Sequence, residues 1–533
     1  MMNRRQFGQK IGAGSLAAVL AKAPAVVAQE GNVLRLGTNT SDLATLDAHF
    51  ATGTQDRTVV DMVYNGLIRF KPGSVSEFEP DLAEEMPVPT ENDDGTQTWT
   101  FTLREGVMTH AVEGAESAEL TVNDVLFSFE KAANKDTSAF AANYVDWVFE
   151  ADEATREFRI TLPRPTSTSL FYPNITNYSG GLIVPQAAYE ALGADGIVTH
   201  PAGTGPFMYA NYTPQNSIEL VANPDYFRGA PQLAGVQVMY LPDSTSRELA
   251  LESGDLEVGR GVLEGSWVDR INQSENLTAD VFGVGEVVWL NFNTEHEILQ
   301  DIKVREAIIK AISRDNHVAM AGEPISMPLF SVIPADFMAG GLTEEEAEAA
   351  GVNYQQDIDG AQALMEEAGY ADGFELDLIT SEQPDYRMNY EILQEELRQI
   401  GITVNLEVVQ HATMHELIRE DRNAITIYIA YRPTADLYLN AFFSSAGGVE
   451  RFSKFDVDEL RDNARNETDE AAQAEIWKQA NVEILQNYAA FGLMYINQVY
   501  ARQNHVDYGH ELEAVISLYP GITEATTMES SDS

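Results

Sequence analysis

His200-Pro201-Ala202-Gly203-Thr204-Gly205-Pro206-Phe207 holds two prolines and two glycines in eight residues. Proline presets φ and glycine permits φ above zero, so the run reads as a tight loop of little freedom. Beyond it, Phe207 to Tyr212 and Ser217 to Ala222 alternate in side-chain type around Thr213-Pro214-Gln215-Asn216, the pattern of a β-hairpin. A second loop, Asn223-Pro224-Asp225-Tyr226-Phe227-Arg228-Gly229-Ala230-Pro231, leads to another strand over Gly235–Tyr240. Physics alone says that a rigid loop enters a sheet here.

Toward the N-terminus, Val33–Thr38 alternates as a strand, and Gln55 to Asn65 has helical spacing that Gly66 is expected to end as a C-cap. Thr98 to Leu103 alternates strictly, which buries Trp99, Phe101 and Leu103 on one face. Thr121 and Asp124 cap a helix through Phe129. Toward the C-terminus, Ser244 is expected to cap a helix ended by Gly254, and Val288 to Asn293 is a strand. Asp301 opens a helix to Ser313-Arg314. Helix 390–400 and strand 403–408 then alternate around Gly401. Such succession predicts an α/β fold.

At 533 residues the chain needs two or three domains. Acidic residues outnumber basic ones 83 to 33, and the net charge of −50 argues against nucleic acid as a partner, since a phosphate backbone would be repelled. There is no cysteine, which excludes disulfides, thiolate nucleophiles, zinc–thiolate sites and a lipid-bearing cysteine. Asn3-Arg4-Arg5-Gln6-Phe7, a weakly apolar Ile11 to Leu20 and small residues at Ala25-Val26-Val27-Ala28 read as an export signal over 1–28 of the twin-arginine type. Its removal takes away Arg4, Arg5, Lys10 and Lys22 and no acid, which moves the charge from −50 to −54.

Put together, P-x-G-T-G-P-F, a hairpin and N-P-x-Y-F-x-G-x-P resemble the signature of the extracytoplasmic solute-binding proteins of ABC importers, family 5, the peptide/nickel-binding type. L-D-x-H at Leu46–His49, Y-x-G-L at Tyr64–Leu67, D-x-x-V-R-x-A-I from Asp301 and A-G-Y-x-D-G-F from Ala368 extend the resemblance in order. Met108 to Glu119 departs from it, a long acidic loop replacing a short turn. The resemblance implies a bilobal periplasmic-binding-protein-like fold with mixed sheets and helices, and an inserted subdomain in the first lobe. The expected division is 29–70, 185–285 and 497–533 for the first lobe, 71–184 for the insert and 286–496 for the second lobe. It also implies a soluble, monomeric periplasmic protein that closes on a peptide or small solute and docks on an ABC permease, after export through the twin-arginine translocase.

No G-x-S-x-G, H-E-x-x-H or P-loop occurs, so an enzyme is not expected, and no cofactor is implied. The expected ligand segment is Ile425 to Leu439, where an apolar strand enters a loop carrying Tyr428, Tyr431, Arg432 and Asp436. In peptide receptors of the family an aspartate there pairs with the ligand ammonium; here Tyr431 stands in its place, and Thr380-Ser381-Glu382-Gln383 lacks the expected base. Ordinary dipeptides are therefore disfavoured. An oligosaccharide, an opine-like metabolite or a metal chelate remains open, as does an exported hydrolase. Thr38, Asn39, Arg260, Trp267, Trp289 and Asn291 are further expected wall residues. His411 and His415, four apart, share a helix face that can chelate a metal, and are read as a polar helix start.

Overall fold

A computed structural model of the chain describes residues 32–529. The expected export signal lies outside the described residues, and among them no helix is long and apolar enough to cross a membrane.

Two long antiparallel strands, Leu277–Phe292 and Ala490–Gln503, run through both lobes. Leu277 to Phe282 pair with Gln498 to Gln503 beside the strand Val258–Arg260. Glu286 to Asn291 pair with Ala490 to Ile496 beside Ile425–Ala430. The register breaks between Phe282 and Glu286, so three residues, Gly283, Val284 and Gly285, stand against Asn497 alone. A bulge with two glycines is where such a ribbon bends, which makes this the hinge.

In the first lobe, Val33–Thr38 lies parallel to Gly235–Tyr240 and Val258–Arg260, and the sheet continues through Ser217–Ala222 to Phe207–Thr213. The inserted subdomain is a four-stranded antiparallel sheet covered by helix Val122–Ala133, whose Thr121–Asp124 capping box forms. Trp99, Phe101, Phe129, Phe158 and Phe171 fill its core, with Trp99 and Phe171 stacked at 4.1 Å. The second lobe carries a parallel pair, Phe374–Ser381 and Ile402–Val409, backed by helix Pro384–Arg398.

Several local expectations change. Gly203 and Gly205 do not have positive φ. Added Cβ atoms would strike the Val63 carbonyl at 2.4 Å and the Met62 carbonyl at 2.6 Å, so glycine is required by close packing on the end of helix Thr54–Val63. That helix ends at Tyr64 in extended geometry, and Gly66 instead bridges Leu182. Asp243 rather than Ser244 caps its helix, because its carboxylate accepts from the Ser246 N–H. The helix begun at Asp301 stops at Ala311, where Ile312 turns extended.

The departing acidic loop earns its place through His110. Its Nε2 lies 3.0 Å from the Gly205 carbonyl, its backbone N–H donates to Gly203, and Gly203 N–H donates to its Nδ1. Burial holds this imidazole down at about 4.

Candidate functional site

The carboxyl ends of Val33–Thr38, Gly235–Tyr240 and Val258–Arg260 converge, with Thr38 opposite Tyr240 and Gly37 opposite Gly259. A crevice at the carboxyl ends of parallel strands is where α/β sheets take ligands. Thr38, Asn39 and Arg260 meet there. Thr38 is buried and bonded to Thr40 at 3.1 Å, Asn39 is exposed, and Arg260 is half-buried with Tyr500 as a hydrogen-bonding neighbour.

Across the hinge stands Glu286, the first paired residue of the second lobe on its strand. Burial raises its carboxyl above the usual range, and Arg260 opposes that rise. Tyr386 and Tyr438 both feel its charge. Tyr438 also feels Tyr178, whose ring lies 4.1 Å beneath the guanidinium of Arg57.

Arg57 is buried, its Nε has no hydrogen-bond partner, and among the described residues it makes no ion pair. Burial raises the carboxyls of Asp56 and Asp61, and the Arg57 charge opposes that rise without direct contact, so the fork itself is left without an ion pair. Tyr431 closes the cleft from the other lobe: it is buried edge-on to Tyr178 at 5.9 Å and packs with Ala514 and Ile516. A second seam joins the insert to helix Glu470–Gln486. Glu470 accepts from Thr168 Oγ1 and from the Ser169 N–H, and Gln473 accepts from Ser167 and Ser169. These contacts join residues of the insert to residues of the second lobe in this structure.

The family profile described as bacterial extracellular solute-binding proteins, family 5 (middle), matches residues 77–450. The chain belongs to this family. The binding protein is similar to the solute-binding protein MoaA of A. tumefaciens R10, solved with mannopinic acid, at 34% identity and TM-score 0.78 over 93% of this chain and 99% of that one. It is 25% identical to heme-binding protein A of Haemophilus influenzae over 82% of both chains. It is 24% identical to the dipeptide-binding protein of Escherichia coli over 81% of this chain and 83% of the relative. The bilobal α/β fold with an insert is thus the one its sequence resembles.

The remaining expected wall residues of the binding protein sit elsewhere. Trp289 is buried among Tyr428, Tyr438 and Phe442, its Nε1–H donating to Asn291 Oδ1 at 3.0 Å, so both belong to the second-lobe core. Trp267 is buried in the first lobe and donates to Glu248 at 2.9 Å. In the expected ligand loop the charges are consumed internally. Asp436 pairs with Arg461 at 2.9 Å and Arg465 at 3.7 Å. Arg432 pairs with Glu450 at 3.1 Å, and the Tyr428 hydroxyl donates to the same carboxylate at 3.4 Å. An alternating pattern cannot tell a wall aromatic from a core one, and so acidic a chain gives no sign of which Arg finds a partner. Glu286 did carry a signal: it is an acid between Gly285 and a run of Val287-Val288-Trp289-Leu290. No motif marked Arg57. Among the described residues no three His, Cys, Asp or Glu side chains are grouped to hold a metal.

Proposed function

We propose that this binding protein captures an opine-like solute, an amino-acid carboxylate and amine joined to a hydroxylated chain, and delivers it to an ABC permease. The observation that carries this reading is the unpaired, buried guanidinium of Arg57 stacked on Tyr178. A planar carboxylate is the partner that a guanidinium fork matches in two parallel hydrogen bonds. Glu286, whose carboxyl is raised by burial, is the counter-charge for an amine, and Arg260 beside it suits a second acidic group. Thr38, Asn39 and the tyrosine hydroxyls supply the polar contacts that a hydroxylated chain needs.

Support also comes from relatedness. The relative solved with mannopinic acid is 34% identical over nearly the whole of both chains, against 24% for the dipeptide-binding relative. The loop from Tyr428 to Asp436, with its charges internally paired, offers no free acid for a peptide ammonium group.

Binding is hinge closure about Gly283–Gly285 that excludes water, without covalent chemistry. The closed form, a soluble periplasmic monomer delivered by the twin-arginine route, is what the permease meets. The test is isothermal titration with mannopinic acid, a dipeptide panel and an oligosaccharide panel. Mannopinic acid is expected to bind and to raise Tm with rising concentration. Saturable dipeptide binding with no response to mannopinic acid would overturn the reading.

A further inference from the structure

Helix His411–Arg419 begins just past the carboxyl ends of the parallel strands Phe374–Ser381 and Ile402–Val409. It presents two imidazoles one turn apart, with Nε2 of His411 and Nε2 of His415 separated by 3.1 Å and the rings nearly perpendicular. We propose that this pair is a chelating site for a divalent transition-metal ion of the copper, nickel and zinc class, distinct from the anchors for the solute.

The argument begins with the bite. Two imidazole nitrogens bound at about 2.0–2.1 Å and lying 3.1 Å apart subtend about 98° at the ion. That angle falls between the right angle of a square-planar site and the tetrahedral angle, the geometries these ions adopt.

Their surroundings suit an ion as well. Ser381 Oγ, 3.1 Å from His411 Nδ1, can accept its N–H and so turn Nε2 toward the metal, the usual role of an outer-shell partner. Coordination through Nε2 would put the proton of His415 on Nδ1, which is buried with no partner, so that ring lacks the outer-shell acceptor that His411 has. Glu450 is already engaged by Arg419, Arg432 and Tyr428, which leaves the other coordination positions to water. Two protein ligands make an exchangeable site. A simple N–H···N bond between the rings is the competing account of the 3.1 Å separation.

Untagged protein, free of solute, is titrated near neutral pH with copper(II), nickel(II) and zinc(II) chlorides. The copper-loaded sample is examined by electron paramagnetic resonance. Saturable one-to-one binding with imidazole-nitrogen splitting is expected. His411→Ala and His415→Ala should each weaken it by at least about tenfold, the lower end of what even an outer-shell change costs. His411→Gln and His415→Gln, which retain hydrogen-bonding capacity, serve should an alanine variant lose its fold. Wild-type copper affinity in these variants, or a copper spectrum without imidazole nitrogen, would overturn the proposal. No solute is present, so the outcome is independent of the opine reading.

Discussion

The guanidinium carbon of Arg57 lies 4.1 Å from the centre of the Tyr178 ring, and no carboxylate of the described residues is paired with it. Cation and ring hold each other in place, which fixes the planar fork before any solute arrives. Truncating one partner of a buried charge pair costs about 2–5 kcal/mol of binding. Arg57→Gln is accordingly expected to weaken solute affinity by about thirtyfold or more at the lower bound of that range. Asp56 and Asp61 feel its charge without an ion pair, so its removal should change the Tm of the empty protein little. Calorimetry of both states checks this. A fall in empty-state Tm with affinity intact would assign Arg57 to the scaffold.

The seam at Glu470 and Gln473 ties the insert to the second lobe only when the lobes are together. Glu470→Ala removes the acceptor for Thr168 and Ser169 without touching the cleft. The expected result is solute affinity weaker by about fivefold, the worth of a hydrogen bond near 1 kcal/mol, with faster dissociation. Small-angle scattering of the empty variant should show a larger radius than wild type. Unchanged dissociation kinetics would mean that the seam contributes nothing to closure.

Asp436 is a scaffold residue on this geometry. Its carboxylate faces Arg461, whose side chain is 9% exposed, and removing one member of such a pair costs about 3–5 kcal/mol. Asp436→Ala should therefore lower Tm by several degrees and leave solute affinity of the folded fraction near wild type. Loss of binding at full stability would return Asp436 to the ligand.

His110 gives a pH dependence. It is neutral in the folded protein, with its value at about 4 against an ordinary 6.5, because burial penalises the charged ring. As pH falls the unfolded chain binds the proton first, so the stability from this group is complete above 6.5 and drains toward 4. The full span is about 3 kcal/mol at 1.36 kcal/mol per pH unit. His110→Gln, which can still donate toward Gly205, should lack this component. Denaturant midpoints of the two proteins measured across that range would then converge at acid pH; parallel curves would refute the assignment.

The fold was legible because its signals are local and repeated. The hairpin after Phe207, the capping box at Thr121 and Asp124 and the alternation around Trp99 each depend on near neighbours. Caps were less secure, since Asp243 and Ser244 are adjacent candidates and only geometry decides between them. The cleft was legible only in part. Thr38, Asn39 and Arg260 follow from the rule about strand ends. Arg57 and Glu286 depend on partners more than a hundred residues away, Tyr178 for one and Gln498 for the other, with Arg260 nearer in sequence. Conversely, Asp436 looked free in sequence because Arg461, which neutralises it, comes 25 residues later on another helix.

The two crossing strands also order the protein's assembly in time. The half-strand Gln498–Gln503 lies between Leu277–Phe282 and Val258–Arg260, in the middle of the first lobe's sheet, yet it comes long after both neighbours in the chain. Until it arrives, Val258–Arg260 is an exposed edge, and an exposed edge is an invitation to pair with another chain. The insert, closed within residues 89–162 for its sheet, can fold early, whereas the first lobe must wait for that half-strand.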